Sequence, residues 1–217
     1  MSVQPLWNLD IDEDVSFPAL SRMSEADFLA WEQEGVRAEW VDGEVTVMSP
    51  ANDDHIDLVD WLIAVFRMYV EKQELGRVQS DGRVRLRDLR KIRDPDILFV
   101  SQGQIDRLRP THVEGAPDLI VEVVSPDSAA RDYREKYLDY QAAGVREYWI
   151  VDPLAERLEV WRLELDDSGK GQYQPIPVTD GRAQSALLPG FFLRTSWLWR
   201  YTRPKVIVAC RELGVLD

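Results

Sequence analysis

The sequence predicts an α/β protein in which a mixed β-sheet is flanked by helices. Three observations support this prediction: a hydrophobic content of 45%, several short segments with strand periodicity, and longer segments with helical periodicity between them. The predicted order is helix, hairpin, helix, three strands, helix and further strands, which is typical of a mixed sheet covered by helices. We expect one domain over residues 21–200, an acidic N-terminal arm over 1–20 and a C-terminal extension over 201–217.

The first predicted elements are a short helix, a hairpin and a long helix. Ser24 and Asp27 resemble a capping box at the start of the first helix. Residues 37–49 predict a hairpin with Asp42-Gly43 as its two-residue turn. The long helix is indicated by apolar residues at helical spacing, namely Ile56, Val59, Leu62, Ile63, Phe66 and Val70.

The second half of the chain predicts strands around one further helix. A helix is expected from Ala129 to Ala143, because Gly144 follows at the position where helices commonly end. Strands are expected over 83–93, 94–100, 117–125, 147–153 and 157–165, followed by shorter strands and by weak helical spacing near the C-terminus.

Composition excludes several classes of protein. The formal net charge of −13 argues against broad, non-specific binding to a polyanion. Cys210 is the only cysteine, so no intramolecular disulfide can form and a reducing compartment is expected. No segment approaches the roughly 20 apolar residues of a membrane span. These features predict a cytoplasmic protein without a membrane partner.

Glu122 is the residue that most clearly suggests chemistry, since it interrupts the apolar strand PDLIVEVVSP. Asp96 begins the preceding predicted strand, directly after Pro95, and Lys136 lies one helical turn after Asp132. Two carboxylates on neighbouring strands suit a hard divalent cation such as magnesium or manganese. A nearby lysine can orient water or stabilise charge on a phosphate. The combination predicts metal-assisted hydrolysis of a phosphodiester.

Each of these residues also has a structural interpretation. Asp96 could simply start a strand, and Glu122 with Lys136 could form a buried ion pair in a protein of unrelated function. His55 lies in line with the apolar face of the long helix, where a structural histidine is the more common case. Asp118 shares strand parity with Glu122 but lies roughly 13 Å from it along an extended strand, so we do not expect it to chelate the same ion.

The run PDLIVEVVSPDSAARDYREKYLDYQAAGVREYWIVDP, at 117–153, strongly resembles the Uma-two family of restriction endonucleases, in the PD-(D/E)XK nuclease superfamily. The resemblance extends upstream through EWVDGEVTVMSP, His55 and DPDILFV, and downstream to LLPGFF, so it covers most of 24–193. It implies a restriction-endonuclease-like fold, a central mixed sheet flanked by helices, and a metal-dependent endonuclease acting on DNA.

The resemblance also implies roles for single residues. Asp96 and Glu122 would bind the metal ion. The superfamily's usual lysine position, two residues after the acid, is Val124 here, which nominates Lys136 on the following helix. A further acid is expected from the hairpin region, with Glu44 preferred and Glu39 second. His55 completes the set of catalytic candidates.

The basic segment, residues 83–93, is the expected nucleic-acid contact, because it carries six basic residues and one acid. An edge strand protected from aggregation by charge is an equally good interpretation. We expect phosphate contacts from Arg83, Arg85, Arg87, Lys91 and Arg93. Enzymes that cut both strands often work as symmetric pairs, so a homodimer is expected. The alternative function is a nuclease-fold binding or regulatory module with little catalysis.

Overall fold

The computed structural model describes residues 21–31, 36–49, 51–126 and 128–216; the arm predicted for 1–20 lies outside these ranges. The helices are α1 (Glu25–Ala30), α2 (Asp53–Lys72), α3 (Tyr137–Ala143) and α4 (Val206–Glu212), and a π-helical segment, Arg131–Lys136, leads into α3. The strands are β1 (Ser21–Arg22), β2 (Ala38–Val41), β3 (Glu44–Val47), β4 (Gly76–Ser80), β5 (Val84–Leu86), β6 (Lys91–Arg93), β7 (Ile97–Ser101), β8 (Val113–Glu114), β9 (Leu119–Val123), β10 (Glu147–Asp152), β11 (Arg157–Leu165), β12 (Gly171–Pro175), β13 (Arg182–Gln184) and β14 (Phe192–Arg194).

The strands form two six-stranded sheets and one separate hairpin, rather than the one sheet predicted. The sheet with the longer strands, which we call the larger sheet, has the order β12-β11-β10-β9-β7-β4. The sheet with the shorter strands, which we call the smaller sheet, has the order β1-β3-β2-β6-β5-β8. Strands β9 and β10 pair in parallel, whereas β7 pairs with β9 in the antiparallel sense, so the larger sheet is mixed. The predicted class, mixed sheet flanked by helices, is therefore confirmed.

Strand β9 lies inside the larger sheet, between β7 and β10, and all five of its residues are buried. Its two faces enter different cores, because side chains alternate along a strand. Val121 and Val123 pack in the core that contains α2 residues such as Phe66. Ile120 and Val124 pack on the other face, with Tyr140 of α3. Glu122 therefore points towards α3, between two apolar neighbours of the same parity.

Local sequence signals explain the ends of several elements. Ser24 caps α1 by accepting a hydrogen bond from the Asp27 backbone N–H. Asp42 and Gly43 both have positive φ, as the predicted two-residue hairpin turn requires. Gly144 ends α3 with φ of 89°, a left-handed conformation that glycine adopts without steric cost. These predicted features are confirmed.

The basic segment is not one strand. It forms β5, a 3₁₀ turn at Arg87–Leu89, and β6, and Arg90 has a φ of 53° between them. Strands β5 and β6 pair with each other as an antiparallel hairpin. Arg87 therefore lies in the turn, and the prediction of one strand over 83–93 is wrong.

The segment predicted as a C-terminal extension contributes to the main core. Its helix α4 buries Ala209 and Cys210 in the cluster that includes α2. Trp61 of α2 donates a hydrogen bond from Nε1 to the Pro204 carbonyl at 2.8 Å. No helix within the described ranges is both long and apolar enough to span a bilayer.

Candidate active site

Asp96 and Glu122 lie side by side where β7 begins and β9 ends. The antiparallel register pairs Ile97 with Val121, which places the preceding aspartate beside the following glutamate. Asp96 Oδ2 accepts a hydrogen bond from the Val123 backbone N–H at 2.7 Å. The expected juxtaposition of two carboxylates on neighbouring strands is present, and Asp96 is fixed to the backbone of the strand that carries Glu122.

Lys136 lies at the centre of the site and its side chain is 1% exposed. Its ammonium Nζ is 3.0 Å from Glu122 Oε1, 3.1 Å from Asp132 Oδ1 and 3.4 Å from Glu39 Oε1. The residue ends the π-helical segment, a wider helical turn that occurs frequently at functional sites. One ammonium is therefore shared by three buried carboxylates, which together with Asp96 we call the carboxylate cluster: Glu39, Asp96, Glu122 and Asp132.

Glu39, and not Glu44, is the acid that the hairpin contributes. Strand β2 buries Glu39, which is 2% exposed. Glu44 begins β3, has a side chain 52% exposed, and forms a surface ion pair with Arg22 at 3.0 Å. The preference for Glu44 is reversed because Glu39 and Glu44 face different environments in the hairpin, which the sequence pattern did not distinguish.

Arg37 and His55 hold the Asp96 carboxylate from the side of the hairpin and α2. Arg37 Nη1 donates to Asp96 Oδ1 at 2.8 Å, and Arg37 Nη2 donates to the Asp94 carbonyl at 2.7 Å. His55 Nε2 lies 3.3 Å from the same Asp96 oxygen, Oδ1. Both predicted members of this group, Asp96 and His55, are brought together by the structure. Arg37 was not predicted.

The two strand carboxylates differ in how they ionise. Burial opposes ionisation of Asp96, but the His55 hydrogen bond and the Arg37 charge outweigh it, and the pKa of Asp96 is lowered. Burial raises the pKa of Glu122 to about 8; Lys136 opposes this shift, and the charges of Asp132 and Asp96 add to it. Burial also raises the pKa of Asp132 against the opposing charge of Lys136. Burial is thus the largest cause of the raised pKa values of Glu122 and Asp132, whereas the contacts of Asp96 with His55 and Arg37 outweigh it.

Lys136 itself stays charged. Burial alone would lower the pKa of its ammonium, but the carboxylates of Asp132, Glu122 and Glu39 raise it well above the usual range. Tyr140 Oη donates a hydrogen bond to Glu122 Oε1 at 2.7 Å. The cluster therefore contains a permanent cation and a directed hydroxyl donor beside Glu122.

Most of the cluster lines a cleft of about 600 Å³, although Glu39 does not. Apolar residues from the ends of the hairpin and from around the start of α2 also line it, namely Val36, Val47, Met48, Ala51 and Ile56. Asp96, Glu122, Asp132 and Lys136 all line this space. The site is therefore open to a ligand at one side while its carboxylates remain buried.

The donor set fits a hard divalent cation in its chemistry. Glu39 Oε1 and Asp132 Oδ1 are buried oxygens that accept no hydrogen bond within the described part of the chain. Carboxylate oxygens of this kind are the ligands that Mg²⁺ and Mn²⁺ favour. Over the same residues, no three His, Cys, Asp or Glu side chains stand in a ready metal-binding arrangement. The Lys136 ammonium lies where the carboxylates converge, so an ion bound there would compete with Lys136 for their oxygens.

A sequence model of the family described as "Uma2: Putative restriction endonuclease" matches residues 25–196. This chain belongs to the Uma2 family. A solved structure with a similar fold is that of a putative nuclease belonging to DUF820 from Anabaena variabilis ATCC 29413, with a TM-score of 0.65 and 18% sequence identity, covering 80% of this chain and 95% of that chain. At that identity the likeness supports the fold alone. No curated protein matches the chain.

Asp118 of this Uma2 chain lies at the opposite end of β9 from the cluster. It accepts a hydrogen bond from the Ser101 backbone N–H at 2.8 Å and pairs with Arg146 at 3.1 Å. The expected separation from Glu122 along the strand is thus present, and Asp118 ties β9 to β7 and to the loop before β10. Val124, two residues after Glu122, is buried in the apolar core with Tyr140.

The basic segment of the Uma2 chain is largely paired with its own acids. Arg85 forms ion pairs with Glu25 at 2.7 Å and with Glu114 at 3.2 Å. Arg83 donates to the Phe28 carbonyl at 3.0 Å and lies over the Phe28 ring. Of the five arginines and lysines predicted to contact phosphate, only Arg87 is exposed, at 65% of its side chain.

The other two predicted phosphate contacts point inwards. Lys91 Nζ lies 2.6 Å from Asp139 Oδ1, and Arg93 is 2% exposed between Glu39 and Asp139. Sequence reasoning also passed over Arg37. In the sequence, Arg37 is a single arginine before an apolar strand, and the residue that it contacts, Asp96, lies 59 positions later in the chain.

Proposed function

We propose that this Uma2 protein hydrolyses DNA phosphodiester bonds with the help of bound Mg²⁺ or Mn²⁺. The observation that supports this most is the Lys136 ammonium, buried among three carboxylates and, with Asp96, in the lining of an open cleft. Burial raises the pKa of Glu122 and of Asp132, so a bound cation can replace protons held on these carboxylates.

Asp96 and Glu122 would hold the ion, with Glu39 as a third acid. The ion would neutralise phosphate charge and lower the pKa of a bound water. Arg37, His55 and the Val123 N–H keep the Asp96 carboxylate in one orientation. Tyr140 does the same for Glu122. Such fixed ligands favour a defined coordination geometry.

Lys136 would act on the reacting groups directly. Its Nζ lies 3.0 Å from Glu122, so a water or phosphate oxygen bound next to that carboxylate falls within reach of the ammonium. Lys136 keeps its proton, so its role is to donate hydrogen bonds that orient the attacking water or stabilise charge on the phosphate.

The competing function is a nuclease-fold module that binds or regulates without cleaving. Two observations favour it: the net charge of −13 and the internal pairing of the basic segment. A nuclease of this composition needs a localised contact, or a partner that supplies recognition. The predicted homodimer stays a prediction.

The deciding experiment measures Mn²⁺ binding by calorimetry, then cleavage of plasmid and single-stranded DNA, for wild type and Glu122→Gln. We expect metal-dependent cleavage by wild type and a loss of roughly 10²–10³-fold in the variant. Glu147→Gln is the matched control, since Glu147 is also buried but accepts its hydrogen bonds from Ser185, Ala186 and Leu187. Cleavage that survives Glu122→Gln excludes this site, and absence of both binding and cleavage favours the module.

A further inference from the structure

Arg93 connects three parts of the structure that meet at the site. It belongs to β6 of the smaller sheet, and its guanidinium reaches Glu39 on the neighbouring strand β2 and Asp139 on helix α3. Arg93 is among the largest fully buried side chains of the described chain. Burial of a guanidinium destabilises the fold unless its acidic partners are well placed, so the contacts of Arg93 indicate what holds it in position.

We propose that Arg93 is a positioning residue of the site, which turns one oxygen of Glu39 towards Lys136 and the bound cation. This inference rests on the proposed nuclease function and assigns to Arg93 a role other than the phosphate contact that the sequence suggested. The carboxylate cluster would then depend on a residue that touches neither substrate nor metal.

The guanidinium is held as a fork between two carboxylates. Nη1 donates to Glu39 Oε2 at 2.6 Å, while Nε and Nη2 donate to Asp139 Oδ2 at 3.0 and 2.6 Å. Glu135 lies farther away, at 3.5 Å from Nη2, and is mostly exposed. Because the guanidinium is planar, fixing one edge on Asp139 fixes the direction in which Nη1 points.

Asp139 is itself restrained, so the fork has a firm base. Its other oxygen, Oδ1, accepts a hydrogen bond from Lys91 Nζ at 2.6 Å. Lys91 and Arg93 alternate along β6 and therefore share one face of the strand, which points at α3. Two basic residues of β6 thus clamp one carboxylate of the helix that follows Lys136.

The consequence for Glu39 is that its two oxygens have different tasks. Oε2 is occupied by Arg93, whereas Oε1 lies 3.4 Å from Lys136 Nζ and accepts no hydrogen bond within the described residues. The two oxygens are chemically equivalent, so a half turn of the carboxylate changes nothing, but a partial turn would direct both oxygens away from Lys136 and Arg93. Arg93 prevents that rotation and leaves Oε1 directed into the cluster.

Charge and orientation predict opposite results when Arg93 is replaced. If Arg93 acted only as a positive charge, its removal would make the site more negative and strengthen cation binding. If it positions Glu39, its removal weakens cation binding although the site becomes more negative. Arg93→Lys separates the two further, since lysine keeps the charge but lacks the planar fork.

The experiment is Mn²⁺ calorimetry, with kcat and KM for DNA cleavage, on wild type, Arg93→Met and Arg93→Lys. We expect Mn²⁺ affinity to fall about 10–100-fold in both variants, the range for residues that orient metal ligands. We expect kcat to fall with it while KM changes little. Tighter Mn²⁺ binding by Arg93→Met, or wild-type binding by Arg93→Lys, would overturn the inference.

Two further variants keep the test decisive. Arg85→Met is the matched control, because Arg85 also bridges two acids, Glu25 and Glu114, away from the cluster; its Mn²⁺ affinity should stay within twofold of wild type. Asp139→Asn loosens the base of the fork with little change in volume, and should weaken Mn²⁺ binding even where Arg93→Met does not fold. Equal effects of the Arg85 and Arg93 variants would refute the positioning role of Arg93 but not the proposed nuclease function. A wild type that neither binds Mn²⁺ nor cleaves DNA would refute the proposed function as well.

Discussion

The basic segment and the carboxylate cluster are both rich in charge, but they use it differently. In the basic segment Arg85, Arg87 and Arg90 pair with acids near the surface, whereas Arg93 is buried. In the carboxylate cluster one buried ammonium serves three carboxylates. Ion pairs at a surface contribute little stability and need no bound ligand. Buried charge that is not fully neutralised destabilises the fold and favours the binding of a counter-ion. The density of charge in a sequence is therefore a poorer guide to chemistry than its burial.

The largest expected effect is on stability when the central cation is removed. Lys136→Met removes the ammonium that Glu39, Glu122 and Asp132 share, although Glu39 keeps its ion pair with Arg93. We therefore expect the free energy of unfolding to fall by about 3–5 kcal/mol at neutral pH, together with loss of cleavage. Urea denaturation measures the first effect. Lys72→Met is the control, since Lys72 is exposed near the end of α2, and it should change little. A loss below about 1 kcal/mol for Lys136→Met would mean that the cluster is not charged as described.

The next effect concerns pH. Burial raises the pKa of Glu122 from 4.5, its ordinary value, to about 8 in the folded protein. Protonation of Glu122 therefore stabilises the fold fully below pH 4.5, and this stabilisation is lost as the pH rises through 8. A cation must displace that proton, so Mn²⁺ affinity should rise about tenfold per pH unit below 8 and level off above it. Calorimetry between pH 6 and 9 measures this. An affinity that is flat over this range would show that the cation displaces no proton from Glu122.

A smaller effect is expected from the basic segment. In the combined variant Arg83→Ser, Arg85→Ser and Arg87→Ser, only Arg87 has an exposed side chain, and its ion pair with Glu114, at 3.3 Å, lies near the surface. The slope of log affinity for DNA against log salt should therefore change by about 0.9, the value for one phosphate contact. A change near three times that size would show that the ion pairs of Arg83 and Arg85 open on binding. No change would remove the segment from substrate binding.

The smallest effect should come from an exposed pair in the same segment. Arg90 and Asp42 lie 2.6 Å apart, with side chains 70% and 62% exposed. Arg90→Gln should change the free energy of unfolding by less than about 1 kcal/mol, because solvent and salt screen such pairs. Thermal denaturation at low and high salt measures it. A loss above 2 kcal/mol would mean that surface pairs here matter as much as buried ones, which would remove the contrast between the two regions.

The sequence located the strand acids and the helix lysine because their signals are local. Glu122 interrupts an apolar strand, and Lys136 accompanies tyrosines at helical spacing, so both conflict with their surroundings within a few residues. Glu39 and Glu44 have no such contrast, since both lie in a four-residue strand beside a turn. Only the packing of β2 against β6 buries Glu39, so the choice between them could not be made from the hairpin pattern.

The amino-acid sequence by itself determined the helices α2 and α3, the hairpin turn, the buried strands β9 and β10 and the family, because periodicity, capping and turn residues act over short distances. The tertiary structure alone decided that the strands divide into two sheets, that most of the basic segment pairs with the protein's own acids, and that Arg93 reaches Glu39 across 54 residues. Ion pairs between distant residues depend on which strands become neighbours, and no local pattern in the chain encodes that choice.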